Sequence, residues 1–214
     1  MDLNFATIGL LLRKTIAEPR QAARDLMGLN LGLGPSWQAF ALAVVMTVLV
    51  GQGLGMLLSS GAPEQTVIAT PPGADGSQLN FSLTITPVMG AMILGLLLVF
   101  MVFCVHWIGR VFGGQGRFED SLVVMAWHQF AMVVLQVAMV LLITLIPAMS
   151  GLAVTMILVA NFILLSLFVT EIHGFSSLPK VFAMIIVSML VVAFALSLVI
   201  SIALVAAGVE VPNA

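Results

Sequence analysis

Four ionisable side chains lie in or beside the long apolar runs of this 214-residue chain: His106, His128, Glu171 and His173. Imidazole and carboxylate are zinc ligands, and inside membranes the same groups relay protons. A divalent-metal site or a proton path is therefore the sharpest chemistry the sequence offers. The spacing argues against a metal. No two of the four form a His-x3-His or His-Glu-x-x-His pair. Glu171-x-His173 directs its two side chains about 200° apart on a helix. Polar groups in a bilayer are costly and turn toward other helices. The four thus read first as an interhelical hydrogen-bond cluster, and neither a metal nor a cofactor is expected.

Other catalytic patterns fail on inspection. Gly113-Gly114-Gln115-Gly116 and Gly51-Gln52-Gly53-Leu54-Gly55 are glycine-rich. Neither has the Gly-x4-Gly-Lys-Ser/Thr form, nor the strand–Gly-x-Gly-x-x-Gly–helix setting, that cradles phosphate. No Gly-x-Ser-x-Gly elbow accompanies the histidines. The single cysteine, Cys104, forms no internal disulfide and sits in an apolar run as a small packing residue. An enzyme is not expected.

The elements that carry these residues follow from composition. Hydrophobic residues make up 61% of the chain and charged residues 7%, against about 25% charged in a soluble domain. Seven Lys/Arg and nine Asp/Glu cannot cover a water-soluble particle of this size. A net charge of −2 without a basic stripe excludes a nucleic-acid partner. The remaining class is an all-α integral membrane protein.

A bilayer-spanning helix needs about 20 mostly apolar residues, and five segments qualify: 37–58, 87–108, 121–146, 152–172 and 181–207. Ser36 is a candidate N-cap for the first, and Pro147 with Ser150-Gly151 turns the third into the fourth. Pro179 lies in the first turn of the fifth. All seven basic residues fall on alternate connections: Arg13, Lys14, Arg20 and Arg24, then Arg110 and Arg117, then Lys180. By the positive-inside rule this predicts a cytoplasmic N-terminus and an external C-terminus in the inner membrane. The domain plan is then a cytoplasmic segment 1–35, a five-helix domain 36–208 and an external tail 209–214. His106 lies about 6 Å from the basic end of its span and His128 about 10 Å. The long outer loop has strand-like alternation at Gln78–Thr86.

The first 28 residues do not form a sixth span. Phe5, Ile8, Leu12 and Ile16 share a helical face, Glu18-Pro19 breaks the helix, and Ala22, Ala23, Leu26 and Met27 form a second face. The expectation is an amphipathic segment on the inner leaflet, its cations near anionic lipid, with a cytoplasmic protein partner as the alternative occupant. Small-residue steps, Gly51/Gly55, Ala91/Gly95 and Ala193/Ser197/Ser201, offer packing or homo-oligomer faces.

Three stretches carry a family resemblance: Ala17-Glu18-Pro19-Arg20-Gln21-Ala22-Ala23, Val111-Phe112-Gly113-Gly114-Gln115-Gly116-Arg117-Phe118-Glu119-Asp120, and Glu171-Ile172-His173-Gly174-Phe175. The chain resembles the Yip (Ypt/Rab-interacting protein) membrane family in its bacterial form. The resemblance implies five spans, a cytoplasmic N-terminal part, and a family loop at Gly113, Gly114, Gly116 and Phe118. It implies a non-enzymatic membrane scaffold or adaptor. Eukaryotic relatives bind Rab-type GTPases, a property not carried over. Members often have a proline early in the third span, where this chain has Ala126-Trp127-His128-Gln129-Phe130. The rival reading is a small transporter or proton-conducting subunit using Gln52, His128, Gln136 and Asn161 as its path.

Overall fold

The computed structural model describes residues 5–58 and 86–206, all helices and short turns. Two short helices, α1 (Phe5–Ala17) and α2 (Pro19–Met27), precede five long ones. These are α3 (Leu33–Leu58), α4 (Pro87–Val111), α5 (Phe118–Leu145), α6 (Ser150–His173) and α7 (Leu178–Ala206). A 3-10 turn at Pro147–Met149 joins α5 to α6. All five long helices are apolar and long enough to cross a membrane. The strand-like alternation of the long loop and the C-terminal tail lie outside the described residues.

The ends of the helices are set locally. At α4, Pro87 takes the first position, where its missing N–H costs nothing, and Thr86 Oγ1 accepts from Met89 N at 3.2 Å. At α5, Glu119 and Asp120 place negative charge on the positive end of the helix dipole. Gly174 closes α6 at φ +69°, a left-handed cap that a side chain would strain. Ser36 does not cap α3 as expected. The helix starts at Leu33, and Ser36 Oγ donates back to the Gly32 carbonyl at 2.9 Å. Pro35 fits that first turn because the N–H it lacks has no intrahelical acceptor there. With no proline in its interior, α5 runs unbroken through His128.

The short connections make neighbouring helices antiparallel. They gather the end of α4, the start of α5, the end of α6 and the start of α7 at one end, where the start of α3 packs as well. All seven basic residues of the chain belong to this end. The core is also there. Phe40 and Ala43 of α3, Val102 of α4, Leu122 and Met125 of α5, Val169 of α6 and Val181 of α7 form one buried cluster. The α5 helix is its axis, and every residue from 121 to 129 is buried. Toward the far end, side chains such as Leu145, Leu152 and Phe194 are exposed, as lipid-facing apolar residues should be.

The N-terminal pair departs from the sequence expectation. Leu11, Ala23 and Leu26 do not face a lipid leaflet. They pack on Val123, Val124, Trp127, Phe168 and Ile172 of α5 and α6. Helix–helix burial wins because Ala22 and Ala23, both 0% exposed, let the α2 backbone approach closely. Ile16, predicted to share the apolar face of α1, is 87% exposed.

A brace ties α1 to α2. Lys14 Nζ pairs with Asp25, whose other oxygen accepts from Gln21 Nε2 at 2.9 Å. The Lys14 ammonium holds the Asp25 carboxyl below its ordinary range. A depressed folded pKa stabilises above the unfolded value, about 3.9, and the contribution disappears as pH falls through the folded value. Being partly solvated, the pair contributes at most about 1 kcal/mol. Amide exchange in α1 should therefore keep constant protection, after correction for intrinsic rates, from pH 5 to 8, and lose protection below about pH 4. Asp25→Asn should show no such acid step; an unchanged step in that variant would rule out this brace as its source.

Candidate functional site

At the basic end, the α4–α5 loop (112–117) meets the α6–α7 loop (174–177) around one side chain, His173. Its ring is 3% exposed. Nε2 lies 3.1 Å from the Val105 carbonyl oxygen, so the ring donates from Nε2. Three glycines enclose the ring. A Cβ on Gly109 would sit 2.2 Å from Nε2, and one on Gly114 would sit 2.5 Å from Nδ1. One on Gly116 would sit 2.6 Å from the Ile172 carbonyl oxygen. Gly113 serves differently. Its φ of +88° lets the chain turn, and a Cβ there would touch nothing within 4 Å. The loops are joined directly by Gln115 N donating to the His173 carbonyl at 3.3 Å. The glycine loop and the His-Gly loop are thus two halves of one joint.

Phe118 closes the joint from the start of α5. Its ring centroid lies 5.2 Å from Phe103, 5.3 Å from His106 and 6.1 Å from Trp37. His106 meets Phe118 edge-on, and its centroid is 6.4 Å from that of His173. The Nδ1 atoms of both histidines are buried without a hydrogen-bond partner.

The four ionisable residues singled out from sequence do not converge. His106 and His173 share the joint. Glu171 turns to the opposite side of α6 and pairs with α2: Oε1 lies 3.2 Å from Arg20 Nε and Oε2 lies 2.8 Å from Arg24 Nη1. That divergence is the one expected for residues two apart on a helix. His128 is fully buried against Phe168, with ring centroids 6.1 Å apart, and beside the Asn161 backbone. Among the described residues no group of three or more His, Cys, Asp or Glu is arranged to hold a metal ion. Asn161 borders a cleft between α4 and α7 that includes neither Gln52, His128 nor Gln136.

A second fastening escaped the sequence reading. Trp127 Nε1 donates to Thr15 Oγ1 at 2.8 Å, and both residues are buried. It ties α1 to the most enclosed stretch of α5. An indole inside a span signals that a partner is needed, but nothing in the sequence names a threonine 112 positions away. Gly109 was likewise missed, because an isolated glycine near a helix end reads as incidental.

The joint, α2 and nearly all of the five spans fall within a single family match: the Yip1 domain model covers residues 13–200. The chain belongs to the Yip1 domain family. No curated protein and no solved structure matched it. The Yip1 domain here is an integral membrane domain of five apolar helices, and its matched region begins within α1 and ends within α7. The Yip1 match therefore takes in α2, both loops of the joint and Glu171. The recognisable glycine run has a physical function in this Yip1 domain: it makes room for the His173 ring.

Proposed function

We propose that this Yip1-domain protein is a bacterial-type, non-enzymatic scaffold or adaptor of the inner membrane, with its basic end in the cytoplasm. The observation that carries this reading is the fastening of α1 and α2 onto the bundle. Trp127–Thr15, the two arginine–Glu171 pairs and the Leu11/Ala23/Leu26 face hold the pair in one position. Its outer side presents Leu10, Arg13 and Ile16, all exposed. A cytoplasmic protein binding there would meet a preformed surface and would not have to order it. Capture from native membranes with the full chain should recover a partner that is lost when Leu10 and Ile16 are both changed to Glu. Equal recovery by both baits would reject this surface as the docking site.

Orientation is tested separately. A reporter active only outside the cell should be silent when fused at Arg24 or Gln115. It should be active in the 61–76 loop and after Ala214. An active fusion at Gln115 would invert the assignment. A homo-oligomer is supported by Gly51, an exposed glycine where a Cβ would meet nothing within 4 Å. Gly51→Leu should then shift the cross-linked species to monomer, whereas an undiminished dimer would exclude that face.

A further inference from the structure

Helices α4 and α7 both pack on α6, and a cleft of about 340 Å3 remains between them. Cys104 of α4, Asn161 of α6 and Ser188 of α7 line it among otherwise mostly apolar walls. At the basic end a second compartment of about 440 Å3 adjoins it, and Met184 borders both. This outer compartment is lined by Ser176, Ser177 and Lys180 as well as apolar side chains. The two together make a slot with hydroxyls and a cation at the mouth and hydrocarbon within.

We infer that this slot binds one anionic phospholipid, its phosphate at Lys180 and the two serines and one acyl chain along the α4–α7 cleft. Charge supports the headgroup assignment. No acidic residue lines either compartment, and Lys180, which is exposed, makes no ion pair among the described residues. Length supports the chain assignment. From Lys180 to Val192, the deepest α7 residue of the cleft, the rise is about 18 Å. That is close to one leaflet's half of a hydrocarbon core about 30 Å thick.

The site is distinct from the α1–α2 surface proposed above, so either can fail alone. The full chain is reconstituted in phosphatidylcholine vesicles containing a minor fraction of a photoreactive probe, with the reactive group midway along one acyl chain. One probe is a phosphatidylglycerol and the other a phosphatidylcholine. The phosphatidylglycerol adducts should concentrate on Cys104, Met184 and Ser188. Lys180→Gln should lower their yield about fivefold, the equivalent of about 1 kcal/mol for one surface cation, and leave the phosphatidylcholine yield unchanged. Ser188→Trp, which fills the cleft, should abolish the Cys104 adduct while the helical spectrum and melting curve stay those of the parent. Equal yields from both probes would overturn the headgroup assignment. Adducts spread evenly over the exposed helix faces, or chain-to-chain cross-links at Cys104, would overturn the site.

Discussion

Gly109→Ala should destabilise the bundle by about 1–3 kcal/mol, although alanine is by itself the better helix former by about 0.5–1 kcal/mol. The clash decides the sign. The new Cβ would fall 2.2 Å from His173 Nε2 and 2.5 Å from both adjacent ring carbons. The ring cannot retreat, because Gly114 and Gly116 already bring backbone against its other side. Any escape also breaks the Nε2–H bond to the Val105 carbonyl, and leaving the buried ring N–H unpaired costs about 1–3 kcal/mol more. Thermal unfolding in micelles measures the loss. The double variant Gly109→Ala/His173→Ala separates clash from propensity. With the ring gone the new methyl has space, so the two substitutions should show a favourable coupling of about 1 kcal/mol or more. Gly9→Ala is the control: it lies in α1 with nothing within 4 Å of a Cβ, and it should be neutral or slightly stabilising. A Gly109→Ala protein that melts at or above the parent temperature would remove the cradle from the account.

Ala23→Arg should release α1 and α2 from the bundle while the five spans stay folded. Ala23 is 0% exposed between α2 and the α5–α6 surface. An arginine there adds volume to a closed contact and brings a charge among Val123, Val124, Trp127 and Phe168. Breaking or burying an uncompensated charge of this kind costs about 3–5 kcal/mol. The polar clasp of the docked pair adds little to resist this. Its two ion pairs to Glu171 involve arginines whose side chains are 42% and 52% exposed, so each contributes at most about 1 kcal/mol after solvent screening. Detachment is the less costly outcome, and two readouts follow it. Trypsin should cut after Arg13, Arg20 and Arg24 much faster than in the parent. Trp127 should change its emission as its indole loses Thr15. Far-ultraviolet helicity should fall only slightly. Arg13→Gln, at an exposed position, should alter neither Trp127 emission nor cleavage after Arg20 and Arg24. Unchanged cleavage and emission in Ala23→Arg would mean that α2 is not held by this contact.

Both predictions bear on one mechanical idea. The joint around His173 locks α4, α5 and α6 together at the basic end, and the N-terminal pair is clasped to the same region through Glu171, two residues earlier on α6. A single turn of α6 thus serves opposite sides. Loss of the joint should loosen the bundle itself, whereas loss of the clasp should free only the first 27 residues.

Much of this protein is written locally. Five apolar runs without Lys or Arg, bounded by Pro87, Pro147 and Pro179, give five helices because hydropathy, proline and glycine act on their immediate neighbours. The Glu18-Pro19 break gives two short helices for the same reason. The glycine run and His173-Gly174 were visible as motifs, and the divergence of Glu171 from His173 follows from helical geometry alone. Their partnership was not visible. That Gly109, Gly114 and Gly116 surround His173, that Trp127 finds Thr15, and that His128 meets Phe168 instead of His106 are facts about which helix faces touch. The sequence also placed the apolar face of α1 and α2 on lipid, where the structure places α5 and α6. One physical reason covers these cases. Lipid tails are as apolar as leucine, so a spanning helix is hydrophobic all round. Its pattern does not mark which side meets a neighbour and which meets the bilayer. Close approach at small residues and a few hydrogen bonds make that choice, and they exist only once the helices are assembled.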